Sequence, residues 1–283
     1  MAKASQKSDD EREFSFSDQQ FKFLADLANK RTGIVLAEHK KDMVYSRLVR
    51  RLRALRLGSF AEYCDMMQGE EGKEELGNLV NAITTNLTSF FREGHHFEHL
   101  RDKVFADLIA QRPSPKRLRI WSAGCSAGME PYSIAMMIKA GFKDWKSWDA
   151  KILATDIDTN MLGTGMEGEY ASEQYENIPP SCRSDVQKLA KTDKIRMSDE
   201  LKSMIAFKPL NLLESWPMKG PFDAVFCRNV VIYFDKPTQA KLFNRIADLI
   251  KPDGWLYIGH SENLFKVCDR FELVGRTIYR KVR

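Results

Sequence analysis

The second half of the sequence alternates short apolar runs with amphipathic helical runs, and this alternation constrains the fold more than any other feature. Strands are predicted at 117–122, 151–156, 204–209, 222–228 and 255–259, with helical segments between them. Such alternation builds a parallel sheet with helices on both faces. The final runs, 271–274 and 277–281, flank Gly275-Arg276 and predict an antiparallel hairpin at the end of the chain. We therefore predict an α/β fold for this half.

The first half is predicted to be helical throughout. Ser17 and Ser59 are suited to cap helices, and Gly33 and Gly58 are suited to end them. The proline-rich stretch 112–115 cannot continue a helix, and 166–203 is too long for an ordinary loop. The expected organisation is a disordered tail at 1–14, a small all-helical domain at 15–112, and an α/β domain at 113–283 with an inserted β-containing subdomain at about 166–203.

Composition excludes several classes of protein. The 283 residues include 44 Lys and Arg against 39 Asp and Glu, and no apolar stretch reaches the about 18 residues that a membrane helix needs. The polar start of the chain does not resemble a secretory signal. Five scattered cysteines form no CxxC pair, which argues against a disulfide framework or a zinc site. We expect a monomeric cytoplasmic protein without membrane insertion.

A glycine-containing loop after the first strand indicates a ligand site. Between Gly124 and Gly128 a ligand can approach the backbone closely, and the following helix offers N–H groups at its start. Asp156 ends the second strand, where an acid can accept both ribose hydroxyls. Its alternative role is a helix N-cap, which Asp158 could also take. Because the loop departs from GxGxxG, we predict a nucleoside-type ligand rather than a dinucleotide.

Further candidate residues lie around this loop. Glu130 could meet a cationic group of a ligand or simply favour the helix dipole. Asn229 ends the fourth strand and Tyr233 follows it by one helical turn, although an Asn there is also a common turn residue. We expect the segment from His260 to Glu262 to brace the site from the fifth strand.

Six segments together resemble the CheR-type chemotaxis receptor methyltransferases. They are 86–92, 122–133, 154–158, 211–213, 226–235 and 259–263, within a resemblance that covers about 15–282. The family transfers a methyl group from S-adenosylmethionine to glutamate side chains of chemoreceptors and releases S-adenosylhomocysteine. The resemblance thus implies a class I, Rossmann-like methyltransferase domain. Met129 departs from the family, which often has a second acid at that position.

The resemblance also implies roles for individual residues. With Gly124 of the loop, the implied cofactor-binding residues are Asn86, Thr88, Arg92, Glu130, Asp156, Asn211, Leu212, Asn229 and Val230. Asp156 would hold the ribose, Asn211 and Leu212 would lie by the adenine, and Glu130 would lie near the charged methionine end. Arg92 and Tyr233 are the candidate catalytic residues, which would position the substrate carboxylate. The alternative for Arg92 is a surface salt bridge that closes the two domains.

Two other features suggest different chemistry. The run 95–99 fits the H-x-x-E-H pattern of inverted zinc proteases, but it lacks an evident third ligand, so we expect no metal. Residues 30–56 carry nine Lys and Arg against two acids. This basic helix is either a solvated face or a docking face for acidic receptor helices, with Arg47, Arg50, Arg51 and Arg53 as docking residues. Without interleaved aromatic residues it does not predict binding of nucleic acid.

Three functions remain open from the sequence. The preferred one is a protein-glutamate O-methyltransferase of chemotaxis adaptation. The alternatives are a class I methyltransferase for RNA or a small molecule, and a non-catalytic S-adenosylmethionine-binding module. Family members that bind a receptor tail peptide have a glycine-containing loop in the subdomain, and the corresponding stretch 189–199 has none. We therefore expect that this protein does not use a receptor tail peptide as a tether to its substrate. In the hairpin of the subdomain, Asp193 could supply the positive φ that a glycine usually provides.

Overall fold

The protein forms two compact units that divide between Thr85 and Asn86. The computed structural model describes residues 12–111 and 114–283. Residues 1–11 of the expected tail, and Arg112 and Pro113 of the expected linker, lie outside the described residues. In the part of the chain that the structure describes, no helix is both long and apolar enough to cross a bilayer.

The first unit contains four α-helices within its described residues: α1 (Asp18–Thr32), α2 (Lys41–Leu55), α3 (Phe60–Gln68) and α4 (Glu71–Ile83). A short 3-10 helix, Glu38–Lys40, precedes α2. Ser17 and Ser59 cap α1 and α3, as predicted, and Gly33 ends α1 in the left-handed region. The predicted end of α2 at Gly58 is wrong, because Arg56 already adopts a φ of 58° there. Apolar faces of the helices meet in one core around Leu48.

The boundary between the units differs from the expected position at 112. The helix that runs through α5 (His95–His99), a π-helical stretch (Leu100–Phe105) and α6 (Ala106–Gln111) belongs to the second unit. Its side chains Phe97 and Leu100 are buried in the same core as strand residues of the sheet. Helical character alone had placed this segment with the first domain, but its apolar face packs on the α/β unit.

The second unit is built on a seven-stranded sheet. Its strands are β1 (Arg117–Ala123), β2 (Asp149–Asp156), β6 (Ile205–Pro209), β7 (Phe222–Cys227), β8 (Ile250–Ile258), β9 (Phe271–Gly275) and β10 (Ile278–Lys281). Their order in the sheet is β6-β2-β1-β7-β8-β10-β9. The first five strands in the sheet order are parallel, and β10 and β9 add the predicted antiparallel hairpin. The α/β fold class is confirmed.

Helices cover both faces of this sheet. They include α7 (Met129–Gly141), α8 (Thr159–Glu167), α9 (Asp199–Met204) and α10 (Lys236–Leu249). The neighbouring strand residues Ile120 and Trp121 point to opposite faces, and they belong to two separate apolar cores. One core contains Ile134 of α7 and the other contains Phe243 of α10. The parallel strands are therefore buried on both sides, as such sheets require.

The inserted segment contains the expected small sheet. Its antiparallel strands are β3 (Glu169–Ala171), β4 (Val186–Lys188) and β5 (Lys194–Met197), in the order β3-β5-β4. The turn between β4 and β5 has its positive φ, 66°, at Lys191. The expectation that Asp193 would supply the positive φ is wrong. The Asp193 carbonyl accepts a hydrogen bond from the Ser172 N–H.

Candidate functional site

The loop after β1 is shaped by glycines that cannot be replaced without a clash. Gly124 has a φ of 80°, and a Cβ built there would lie 2.3 Å from the Val230 Cγ2 atom. The N–H groups of Gly124 and Cys125 donate to the Thr155 carbonyl at 2.8 and 2.9 Å. These two loop N–H groups are therefore used within the fold, and the expectation that the start of α7 offers N–H groups to a ligand stays a prediction. The loop instead offers a backbone surface that a ligand can approach closely.

Asp156 lies at the carboxyl end of β2, beside this loop. Its carboxylate accepts the Ser126 N–H at 2.7 Å and the Asp158 N–H at 2.9 Å. Burial raises the pKa of Asp156, although both backbone donors oppose that shift. Asp158, not Asp156, caps α8 by accepting the N–H groups of Asn160 and Met161. Asp156 therefore does not serve as the N-cap, the alternative role that the sequence left open.

The segment that contains Asn86, Thr88 and Arg92 lies across the same edge of the sheet. The Asn86 amide donates to Asp158 Oδ2 at 2.7 Å, and the Ser126 hydroxyl donates to the Asn86 carbonyl at 3.3 Å. The Arg92 guanidinium donates to the Leu87 carbonyl at 2.7 Å, and Thr88 is half-buried. These contacts lie within the second unit. They bring Asn86 to the ends of β1 and β2, and Arg92 bonds back to the same segment.

The strained backbone of this segment is held by α7. Phe91 has a φ of 53°, which is unfavourable for a bulky side chain, and its N–H donates to the Ser133 hydroxyl at 3.0 Å. Glu93, Ser126 and Asn229 also have positive φ values. Such residues commonly cluster where a site requires a particular backbone shape. Here they lie in the three segments that meet at the carboxyl edge.

Asn211 and Leu212 follow β6, the neighbour of β2. The Leu210 N–H donates to the Asp156 carbonyl at 2.9 Å, so the two strands remain paired up to the edge. The Asn211 side chain accepts the Leu213 N–H at 3.0 Å. Leu212 is buried, and its carbonyl accepts a hydrogen bond from Arg245 at 2.9 Å. The two residues expected by the adenine thus adjoin Asp156.

Glu262 braces the loop after β7, as predicted. Its buried carboxylate accepts the N–H groups of Asn229, Val231 and Gly259 at 3.0, 2.9 and 2.5 Å. These bonds hold Asn229 at a φ of 58°, and the Tyr233 N–H bonds to the Val230 carbonyl at 3.3 Å in the next turn. Asn229, Val230 and Tyr233 therefore lie on a backbone that one carboxylate fixes.

Arg228 is the residue that sequence reasoning missed. Its side chain is only 2% exposed, and it reaches Glu130 at 3.0 Å and Glu93 at 3.4 Å. It also donates to the Arg92 carbonyl, so it joins the Arg92 segment to the β7 end. The signal in the sequence was an arginine directly after the apolar run 224–227, next to the candidate Asn229.

The two carboxylates around Arg228 respond differently to it. Burial raises the pKa of Glu130, and the charge of Arg228 and the hydrogen bond from Ser122 only partly oppose this. Burial would also raise the pKa of Glu93, but Arg228 and the hydrogen bonds from His260 outweigh it and lower that pKa to about 2. Of the two carboxylates, Glu93 is therefore the one that more readily stays ionised beside Arg228.

The histidine cluster does not form the arrangement that its sequence pattern suggests. The groups that come within 4.8 Å of one another are Glu93, His95 and His96, not the His95, Glu98 and His99 of the pattern. His99 Nδ1 lies 2.9 Å from the Tyr257 hydroxyl, and Glu98 is exposed. Since Arg228 already lies beside Glu93, a metal cation there would meet an existing positive charge.

In the first unit, two of the four arginines expected to dock a partner form hydrogen bonds within the unit itself. Arg47 donates to the carbonyls of Ile83 and Thr84 at the end of α4, at 2.8 and 2.5 Å. Arg51 forms a two-pronged pair with the buried Glu75. Arg53 is exposed and pairs with Glu13, and Arg50 is exposed. Arg50 and Arg53 thus remain as surface cations.

Comparison with known proteins identifies the family. Residues 86–280 match the model of the CheR methyltransferase SAM-binding domain, and residues 19–84 match that of the CheR methyltransferase all-alpha domain. The chain belongs to the CheR methyltransferase family. Both matched ranges agree with the division of the structure at Thr85.

Bacterial relatives cover nearly the whole chain. The chemotaxis protein methyltransferase 2 of Pseudomonas aeruginosa is 43% identical over 95% of this chain and 95% of its own. The chemotaxis protein methyltransferase of Escherichia coli is 43% identical over 94% and 91%. A probable chemotaxis protein methyltransferase of Rhizobium etli is 44% identical over 88% and 94%. This chain is an S-adenosylmethionine-dependent methyltransferase of chemotaxis, and the RNA, small-molecule and non-catalytic alternatives are not favoured.

The residues present fit S-adenosylmethionine. The Gly124 position admits no Cβ, which leaves a backbone surface beside Val230, and Asp156 supplies a carboxylate at the neighbouring strand end. Arg228 has a buried Nε donor without a protein acceptor, and Glu130 lies next to it. A cation and an anion side by side suit the carboxylate and ammonium groups of a methionine moiety.

Proposed function

We propose that this CheR-family enzyme forms methyl esters on glutamate side chains of chemoreceptor cytoplasmic helices. The observation that carries the proposal is the meeting of three segments at one sheet edge: the Arg92 segment, the Gly124 loop with Asp156, and the loop from Arg228 to Tyr233. The proposed enzyme is a cytoplasmic monomer that binds no nucleic acid. Its five cysteines are buried and unpaired, which fits a reducing compartment.

In this proposal, the chain positions the reactants rather than exchanging protons with them. A glutamate carboxylate has an unperturbed pKa of about 4.3, so it is ionised at neutral pH and needs no general base. Bound S-adenosylmethionine supplies an electrophilic methyl group on its sulfonium. Asp156, Asn211 and Leu212 hold its nucleoside part, with Asn86, Thr88, Glu130, Asn229 and Val230 around the remainder.

Arg92 and Tyr233 orient the substrate carboxylate in this scheme. Alignment of two reactants can be worth about 7–11 kcal/mol, which makes correct placement the main contribution of the protein. Exclusion of bulk water helps as well, since the nucleophile and the sulfonium neutralise each other in the reaction. The carboxylate must not be held too tightly, because a strong ion pair would reduce its nucleophilicity.

Replacement of Asp156 by alanine should weaken the binding of S-adenosylhomocysteine by about 1–3 kcal/mol, because the ribose loses its buried acceptor. Titration calorimetry measures this, with Asp149→Ala as the control on an exposed acid at the other end of β2. Equal affinity of Asp156→Ala and the unmodified protein would remove Asp156 from the site.

The proposed reaction needs no metal, because a carboxylate attacks a methyl group that is already activated. Elemental analysis of the protein used for calorimetry should therefore find less than stoichiometric zinc. One zinc per chain, lost in a His95→Ala or His96→Ala variant, would contradict this part of the proposal and assign the metal to the cluster with Glu93.

We further propose that receptors dock directly on α2, through Arg50 and Arg53. Charge reversal in Arg50→Glu should raise the KM for a receptor cytoplasmic fragment and leave the affinity for S-adenosylhomocysteine unchanged. Binding should weaken with salt, because the Debye length is only about 8 Å at physiological ionic strength. Lys22→Glu, at an exposed position of α1, is the matched control. An unchanged KM in Arg50→Glu would make α2 a solvated face.

Arg51 must be left intact in this test. Its partner Glu75 is 5% exposed, so Arg51→Glu would bury two like charges and destabilise the first unit.

The same assay tests tether independence when receptor fragments with and without their last residues are compared. A large loss of binding on trimming would show that a tail peptide is bound and that the missing glycine in 189–199 was misinterpreted.

A further inference from the structure

Two exposed apolar side chains flank the proposed methyl-transfer site. Leu87, which lies between Asn86 and Thr88, is 77% exposed, and Ile232, which precedes Tyr233, is 47% exposed. Single exposed apolar residues are ordinary on protein surfaces. These two, however, lie in the two segments that carry the residues proposed to orient the substrate.

Both segments contact the loop after β1 from within the second unit. The Leu87 carbonyl accepts the Arg92 guanidinium at 2.7 Å, and the preceding carbonyl of Asn86 accepts the Ser126 hydroxyl at 3.3 Å. On the other segment, Val230 lies so close to Gly124 that no Cβ fits between them. Arg228 then links the segments through the Arg92 carbonyl. Leu87 and Ile232 therefore lie on two joined parts of one sheet edge.

Hydrogen bonds hold the backbone that presents these side chains. The Val231 N–H donates to Glu262 at 2.9 Å, and the Phe234 N–H donates to the Val231 carbonyl at 3.0 Å, so Ile232 lies in a fixed turn. Leu87 is held through its own carbonyl and through the side chain of its neighbour Asn86. A surface that is already ordered loses little conformational entropy when a partner covers it.

We propose that Leu87 and Ile232 form an apolar docking pair for the helix that carries the reacting glutamate. This inference rests on the proposed function. For a glutamate side chain to reach Arg92 and Tyr233, the backbone of the substrate must cross the two segments that bear them. The residues three and four positions from the glutamate share its helix face, so they are the ones that would cover the pair.

The pair defines a chemical preference in the substrate. Apolar side chains at those flanking positions gain by removing Leu87 and Ile232 from water. Charged side chains there would lose hydration against an apolar surface without a compensating partner. The occupant is therefore an amphipathic helix with apolar residues three or four positions from the methyl-accepting glutamate, which distinguishes one glutamate of a receptor helix from another.

The test is a double variant, Leu87→Asn with Ile232→Thr, which keeps the side chains close to their original size. We expect the KM for a receptor cytoplasmic fragment to rise about 20-fold, since two apolar contacts are lost. The affinity for S-adenosylhomocysteine and the kcat at saturating receptor should stay within twofold. The matched control is Leu273→Asn with Val274→Thr, which alters another exposed apolar pair on β9, at the edge of the sheet.

The possible results separate the docking pair from the proposed function. If the unmodified protein forms base-labile methyl esters on the fragment but the double variant has the KM of the control, the docking pair is wrong and the proposed function stands. If S-adenosylhomocysteine binding weakens as much as the KM rises, the two residues belong to the cofactor site and the inference is also wrong. If the unmodified protein forms no methyl ester, both proposals fail.

Discussion

Replacement of Arg228 by methionine is expected to lower the free energy of unfolding of the second unit by about 3–5 kcal/mol, because removal of one partner leaves a buried charge uncompensated. Arg228 is the shared cation of Glu93 and Glu130, and its side chain is almost fully buried. All five tryptophans of the chain lie in the second unit, so urea unfolding followed by tryptophan fluorescence reports on it.

The control is Arg280→Met, which breaks an exposed ion pair with Asp253. Exposed pairs are worth about 0–1 kcal/mol, so this variant should unfold almost like the unmodified protein. A similar small change in both variants would mean that Arg228 does not compensate the buried carboxylates.

The difference between Arg228→Met and the unmodified protein should also depend on pH. The folded-state pKa of Glu93 is lowered to about 2 from an ordinary value of 4.5. The stability from this shift is therefore present above pH 4.5 and lost as the pH falls towards 2. Burial raises the pKa of Glu130, so Glu130 also takes up a proton as the pH falls. Once protonated, Glu130 no longer needs the charge of Arg228, which also narrows the difference between the two proteins. The stability difference should narrow in acid; a constant difference would assign it to the packing of Arg228 over Phe97.

Arg92→Lys and Tyr233→Phe are each expected to lower kcat by about 10²-fold, the effect that a small misplacement of reactants can have. The Arg92 guanidinium donates to the Leu87 carbonyl, and its planar fork has further donors for a carboxylate. A lysine keeps the charge but cannot hold the backbone and orient the substrate in the same geometry. The affinity for S-adenosylhomocysteine should change far less than kcat.

Tyr175→Phe is the control for loss of a hydroxyl, since Tyr175 lies in the inserted segment. Rates come from methyl transfer to a receptor fragment at saturating concentrations of both reactants, and affinities come from calorimetry. If Arg92→Lys and Tyr233→Phe both keep the kcat of the unmodified protein, the positioning role is wrong for both residues.

The features that the sequence predicted correctly depend on short-range interactions. Ser17 and Ser59 cap their helices because a cap needs only the next few N–H groups. The hairpin around Gly275 and the strand alternation follow from local turns and periodicity. Asp156 and the Gly124 loop lie where the strand pattern predicted them, at the ends of β2 and β1. The cofactor-binding roles that the family motifs imply for these and the other residues stay predictions.

Tertiary structure alone decided the features that depend on partners distant in the chain. Arg228 meets Glu130 across 98 positions, so no local pattern revealed it as the link between the site segments. Among the arginines of α2, Arg51 turns to Glu75 while Arg50 faces outward, and their adjacent positions do not distinguish them. Helices α5 and α6 joined the second unit because Phe97 is buried there. Local propensity determined these elements, but long-range packing and charge compensation determined what each residue does.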